Sequence, residues 1–415
     1  MTRVIVVGGG PAGMMAAIKA AENGAAVILL EKMERTGKKL LITGKGRCNI
    51  TNTATIQEII KNIPGNGAFL NSSLRAFDNN SVVDFFNRIG VPTKVERGGR
   101  VFPVSDKAAD VADALMDSLY DAGVDIRTRS EVKKIRLTGG RASGVILQNG
   151  ETVDGGAVII ACGGSSYPRT GSNGDGCRLA AALGHTVTPL LPALVPLETE
   201  EDWVKEAQGL SLRNVKAALF VDGKKSAEEF GEMLFAHFGV TGPIILSLSR
   251  QAVQAASSGR FVELSINLKP ALTPEKLNSR LIREFEAAPN KAIHNVLRTL
   301  LPEKLILPVL DLAYIDEARP VNGITKEERM RIADILQHLM LTITKPRPVG
   351  EAIVTAGGVS VKEINPKTME SKIVPGLYFA GETVDVDGYT GGFNLQAAFS
   401  MGAAAGCWSA WNGEE

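Results

Sequence analysis

The stretch Val4-Ile5-Val6-Val7-Gly8-Gly9-Gly10-Pro11-Ala12-Gly13, with Val27-Ile28-Leu29-Leu30-Glu31 after it, decides how this chain is read. Four consecutive β-branched residues predict a short buried strand. Pro11–Asn23 reads as a helix stopped by Gly24, and Val27–Leu30 as a second strand, which makes a βαβ unit. Gly8-x-Gly10-x-x-Gly13 falls between strand and helix. Gly8 permits the tight turn, Gly10 lets a pyrophosphate approach the backbone, and Gly13 lets helix pack on strand. The helix N-terminus offers unpaired N–H groups to the phosphates. Glu31 ends the second strand, where a carboxylate can accept both ribose hydroxyls. A dinucleotide is implied.

The composition fits a globular protein. The 415 residues are 44% hydrophobic and 22% charged, well clear of the disordered range. Lysines and arginines number 46 against 45 acidic residues, a net charge of +1 with no long run of one sign. Nucleic acid is therefore not expected as a partner, and no uninterrupted apolar run reaches membrane-spanning length. The apolar start after Arg3 mimics a signal peptide, but Gly8, Gly9, Gly10 and Gly13 belong to the nucleotide motif instead. Cys48, Cys162, Cys177 and Cys407 form neither a C-x-x-C pair nor a metal-like cluster, so no metal is expected. Their spacing fits a reducing, cytoplasmic location.

Glycine usage divides the chain. Residues 191–344 hold only seven of the 44 glycines, with Pro189, Pro192 and Pro196 marking the entry to that segment and Lys345-Pro346-Arg347-Pro348 its exit. The expectation is an α/β protein with a discontinuous Rossmann-like, glutathione-reductase-like FAD-binding domain over 1–190 and 345–415. Its insert would be a β-rich, barrel-like domain over 191–270 and a helical part over 271–344. Val215–Val221 and the alternating Val262–Leu268 read as strands. Leu277, Leu281 and Phe285 share a helical face. Thr325-x-x-Glu328 is a capping box ahead of Ile332, Ile335, Leu336 and Leu339.

Three segments favour FAD over a passing nicotinamide. The first is the polar loop Gly37-Lys38-Lys39 through Gly44-Lys45-Gly46-Arg47-Cys48-Asn49-Ile50-Thr51-Asn52, placed to wrap a long cofactor. The second is a meander, Val132–Leu137, Val145–Gln148 and Glu151–Val153, with turns at Gly139-Gly140 and Asn149-Gly150. It precedes the buried strand Ala157–Ala161 and Cys162-Gly163-Gly164. The third is Gly376-Leu377-Tyr378-Phe379-Ala380-Gly381-Glu382, then Gly391-Gly392-Phe393-Asn394-Leu395-Gln396 opening a helix to about Gly406. A helix N-terminus at the pyrimidine edge would stabilise a reduced anionic flavin.

With these strings in view, the chain resembles the BaiN/YhiN-like flavoproteins (the aminoacetone oxidase family) of the two-dinucleotide-binding-domain superfamily. The resemblance also rests on Gly99-Arg100-Val101-Phe102-Pro103, Ser165-Ser166-Tyr167-Pro168, Thr170-Gly171-Ser172-x-Gly174-Asp175-Gly176 and Gly239-Val240-Thr241-Gly242-Pro243. It spans residues 4 to about 402 and departs at Gly44-Lys45-Gly46, where relatives carry three glycines. It implies noncovalent FAD, with Glu31, Lys39, Arg47, Asn49, Glu382 and the Gly392–Leu395 turn in contact. Gly8, Gly10, Pro11, Ala12, Gly13 and Lys32 complete the expected N-terminal contacts. Thr43, Gly46, Cys48 and Thr51 join from the loop, and Val132, Ala161, Cys162 and Gly163 from the meander and its following strand. Gly381, Gly392, Phe393, Asn394 and Leu395 close the C-terminal side.

The reaction is less determined. Thr170–Gly176 also resembles a turn of fumarate-reductase-like flavoenzymes, which pass a hydride to an activated C=C bond. Asp175 reads alternatively as a plain helix N-cap. Tyr167, Arg169 and His237 are the candidate proton donors, although a lone histidine among aromatics such as His237 is more often a packed core residue, and Cys48 as a reactive thiol lacks a resolving partner. Two reactions on a small organic substrate stay open, C=C reduction and amine oxidation. A flavoprotein acting in RNA modification and a non-catalytic flavin sensor are the alternatives. No second G-x-G-x-x-G follows a strand, so NAD(P)H stays open as electron donor without a visible site.

Overall fold

The structure, a computed structural model, describes residues 2–411. The chain divides into two compact units, residues 1–191 with 352–415, and residues 192–351. The first unit is built on a five-stranded parallel sheet in the order Leu377–Phe379, Ala157–Ile160, Arg3–Val7, Ala26–Leu30, Asp125–Arg127. Val4 to Val7 register against Ala157 to Ile160 on one side, and Arg3 to Val7 against Ala26 to Leu30 on the other. These runs are buried on both faces, as parallel strands covered by helices must be. The meander forms as Val132–Thr138, Arg141–Leu147 and Thr152–Asp154.

The helix Pro11–Glu22 lies against the C-terminal helix Phe393–Trp411. A Cβ at Gly402 would stand 2.4 Å from the Ala12 carbonyl oxygen, and one at Gly406 2.3 Å from that of Ala16. Backbone approach this close admits no side chain, and forcing one in costs roughly 1–3 kcal/mol. The helix therefore runs on past Gly406, where the sequence alone suggests a stop; the glycine is there for packing.

The second unit contains a closed six-stranded barrel of Leu197–Thr199, Gly239–Thr241, Lys224–Ala236, Ser211–Val221, Val262–Asn267 and Leu339–Pro346. Two features depart from the sequence reading. Helix Pro243–Ser257 sits within the part expected to be β-rich, opened by Gly242 at φ +99 and by Pro243 in its first turn. The last strand lies in the part expected to be helical. Helix Lys326–Gln337 carries the anticipated Thr325/Glu328 capping box but ends before Leu339. Leu339, Leu341 and Ile343 then alternate into the core with period two. Because Pro346 pairs with Leu197 and Arg347 N–H donates to the Pro196 carbonyl, the expected exit at Lys345–Pro348 lies inside this unit. Helices Pro274–Glu286, Ile293–Leu297 and Glu303–Leu312 share its core. Among the described residues no helix is long and apolar enough to cross a membrane.

Candidate cofactor site

The glycine loop has the geometry its residue types require. Gly8 holds φ +106, and a Cβ there would meet the Ala161 carbonyl oxygen at 2.5 Å; at Gly13 it would lie 1.9 Å from the Gly8 carbonyl oxygen. Gly10 differs, because its Cβ direction is open space. An empty approach beside a helix N-terminus is what a pyrophosphate needs. Gly9, the unspecified position of the motif, is equally constrained. Its N–H donates to Glu31 Oε2 at 2.7 Å, and a Cβ would stand 2.6 Å from Thr36 Cγ2. Glu31 Oε1 accepts Met33 N–H at 2.8 Å. Each oxygen keeps a further lone pair for a ribose hydroxyl.

Segments far apart in sequence meet here. Lys39 Nζ donates to Glu382 Oε2 at 2.6 Å and to Ser166 Oγ at 2.7 Å. A Cβ at Gly381, which holds φ +72, would lie 2.9 Å from that of Ala12. Asn49, its amide oriented by its neighbours, accepts Gly392 N–H at 2.9 Å and donates to the carbonyls of Thr51 and Val101. The loop Gly163–Ser166 is pinned by Thr355, whose Oγ1 accepts from Ser165 N–H (2.8 Å) and Ser166 N–H (3.1 Å), and by Thr383 Oγ1, which donates to the Gly163 carbonyl. Ser165 Oγ and Ser172 Oγ are buried without a hydrogen-bonding partner among the described residues. Those orphaned hydroxyls, the open face of Gly10 and the half-satisfied Glu31 fit a polar dinucleotide such as FAD.

Several expected contacts are otherwise engaged. Arg47 donates from Nε to Asp106 at 2.9 Å, reaches Glu96 and Asp106 through its terminal nitrogens, and stacks 4.2 Å over the Phe102 ring. Lys32 is held by Asp175 and Asn173, both at 2.6 Å. Asp175 is the first residue of helix Asp175–Ala181 behind Gly174, so it is not the N-cap. Thr43 Oγ1 donates to the Leu40 carbonyl, and Thr51 Oγ1 bonds Gln396. Asn394 closes its own loop onto Gly388 and Tyr389. Phe393 and Val132 are buried, Leu395 is half-buried, and Gly46 has open space at its Cβ direction. Burial pushes the Cys48 thiol up to about 12, and likewise that of Cys162, so neither is a thiolate near neutral pH.

Of the candidate proton donors, Tyr167 is half-buried and holds φ +53, a left-handed conformation costly for a side chain of its size. Arg169 is exposed. His237 belongs to the second unit, exposed at a strand turn beside Phe238, so the packed-core alternative for it does not hold. Sequence reasoning missed Gly9, Ser166, Thr355 and Thr383. A threonine in the otherwise apolar, glycine-rich strand Val354–Val359 was the available signal for Thr355.

The profile of the family described as "HI0933-like protein Rossmann domain" matches residues 2–408. The "3-dehydro-bile acid delta(4,6)-reductase" of Clostridium scindens is 32% identical over 409 residues, 98% of each chain. The "Ribosomal RNA dihydrouridine synthase" of Escherichia coli is 32% identical over 95% of each. Among solved structures, 3-ketosteroid delta1-dehydrogenase from Sterolibacterium denitrificans superposes with a TM-score of 0.55 at 14% identity, over 99% of this chain and 100% of that one. At that identity the likeness speaks for the fold.

Proposed function

As a member of the HI0933-like Rossmann family, this chain is an FAD-dependent oxidoreductase, and we propose that its flavin delivers a hydride to a carbon–carbon double bond conjugated with a carbonyl. The observation that carries the cofactor assignment is the meeting of both chain ends at one glycine cradle, Lys39 with Glu382 and Ala12 with Gly381. In this reading FAD is noncovalent. Gly8–Gly13 and the helix behind them hold the pyrophosphate, Glu31 the adenosine ribose, and Glu382 with the Gly392–Leu395 turn the flavin half.

The choice of C=C reduction over amine oxidation is supported by two relatives whose names denote hydrogen addition to such a bond, one in a bile acid and one in uridine. The chain's own part is to position and to supply a proton. Tyr167 Oη is the proton donor in this account, since Tyr167 is half-buried whereas Arg169 and His237 are exposed. Lys39 Nζ, held by Glu382 and Ser166, fixes these two side chains relative to each other at the cofactor loop. The free thiols of Cys48, Cys162, Cys177 and Cys407 agree with a cytoplasmic setting.

The test is anaerobic reduction of the bound flavin followed by mixing with a 3-keto-4-ene steroid, with uridine-containing RNA, and with no acceptor. Reoxidation by the enone supports the reading. Reoxidation by RNA alone transfers the same bond chemistry to a nucleic-acid substrate. Reduction of oxidised flavin by amines, with the enone inert, contradicts it. Parallel reduction by NADH and NADPH identifies the electron donor.

A further inference from the structure

We propose that Arg47 is a positioning residue that latches the cofactor loop and, through Asn49, sets the N-terminal turn of the C-terminal helix, and that it does not bind the cofactor itself. The proposal rests on the flavin reading. Its first support is the engagement of the guanidinium, four of whose five N–H donors are taken. Nε and both terminal nitrogens are taken by Glu96 and Asp106, and one face lies 4.2 Å over Phe102. A planar fork used by two carboxylates keeps one Nη1 N–H and no donor pair for bidentate capture of a phosphate. Asp106 is shared with Lys94 at 2.6 Å, so both anions are fully matched.

The second support is the backbone that Arg47 holds. Gly44, Lys45, Gly46 and Cys48 stand at φ +56, +58, +84 and +61. Lysine and cysteine rarely adopt this region, and such a run persists only where its surroundings fix it. Arg47 lies inside the run, and its partners Glu96 and Phe102 lie on the paired strands Thr93–Glu96 and Arg100–Pro103. The third support is the position of Asn49, two residues further along the chain, which accepts Gly392 N–H and donates to the Val101 carbonyl. Gly392 has φ +95, and a Cβ there would lie 2.3 Å from the Thr51 carbonyl oxygen. The order of constraint thus runs from Glu96 and Asp106 through Arg47 to Asn49 and Gly392, where helix Phe393–Trp411 begins.

The experiment compares wild type, Arg47→Met, Glu96→Gln/Asp106→Asn and the triple variant. FAD dissociation constants come from flavin fluorescence, and amide hydrogen exchange is followed at residues 43–49 and 392 in the apoprotein. A latch predicts that Arg47→Met and the carboxylate pair each weaken FAD by about tenfold or more, with the triple variant no worse than either. It also predicts faster exchange at Gly392 in each variant while the strands of the parallel sheet stay protected. If the carboxylate pair leaves FAD affinity unchanged or tightens it while Arg47→Met weakens it, Arg47 is a direct ligand and the proposal is overturned. Unchanged exchange at Gly392 in every variant overturns it as well. Wild type that takes up no FAD defeats the flavin reading instead, and the exchange data still decide the latch.

Discussion

Lys39 and Glu382, 343 positions apart, form an ion pair of 2.6 Å with side chains only 22% and 20% exposed. A pair this sheltered joins the loop after the first βαβ unit to the strand end before the C-terminal helix. Removing one partner leaves the other charge unpaired and largely sheltered from water. Lys39→Met and Glu382→Gln should each weaken FAD binding by roughly tenfold or more, and the double variant by less than the product of the two. Fluorescence titration of the apoproteins checks this; strictly multiplicative losses would show that the two side chains act independently.

Two glycines of one motif should fail in different ways. Gly10→Val points into open space, so the apoprotein should melt near the wild-type temperature while losing most of its flavin. Gly13→Val drives a side chain into the Gly8 carbonyl and should destabilise the fold by about 3 kcal/mol or more. Thermal melts paired with flavin absorbance separate the two outcomes.

The buried His185 makes stability depend on pH. Its Nδ1 faces the Ala180 carbonyl at 3.2 Å and its Nε2 the Ser371 hydroxyl at 2.8 Å, the pattern of a neutral ring. Burial holds its pKa below the ordinary histidine value. The unfolded chain therefore binds a proton first on acidification. Stability from this group is complete above about pH 6.5 and is lost as pH falls below that toward the folded pKa. Urea midpoints should drop between about pH 7.5 and pH 5.5, and His185→Gln should flatten that difference.

How far the sequence was legible depends on whether a residue's role is local. Gly8, Gly10, Gly13 and Glu31 act within one βαβ unit, so spacing alone was enough to place them. The meander turns and the Thr325/Glu328 box were readable for the same reason. Gly402 and Gly406 serve a contact with a helix nearly 400 residues earlier, and Thr355 pins a loop about 190 residues away. Their partners could not be inferred from neighbours in the chain. Leu339 was misplaced because its spacing from Leu336 fits a helical stripe as well as the start of a strand. The resemblance puts Arg47 in contact with FAD, whereas its guanidinium is held by Glu96 and Asp106, 49 and 59 positions further along the chain.

Thiol chemistry offers a check on the loop. With Cys48, Cys162 and Cys177 pushed up to about 12, 12 and 11, native protein should leave these three unlabelled by iodoacetamide near neutral pH. Denaturation should expose all four cysteines. Rapid native labelling at Cys48 would mean that the loop opens in solution.

Tyr167→Phe keeps the ring and removes the only proton its side chain can give. Turnover on a conjugated C=C acceptor should fall by roughly a hundredfold with FAD content unchanged. Unchanged turnover would move the proton to another group.

The most direct measurement is a calorimetric titration of FAD into apoprotein of wild type, Glu31→Ala and Glu382→Ala. One FAD should bind per wild-type chain, with markedly weaker binding in both variants, one altered near each end of the sequence. No uptake by folded wild type, or binding indifferent to Glu382, would contradict a cofactor held by both ends of the chain.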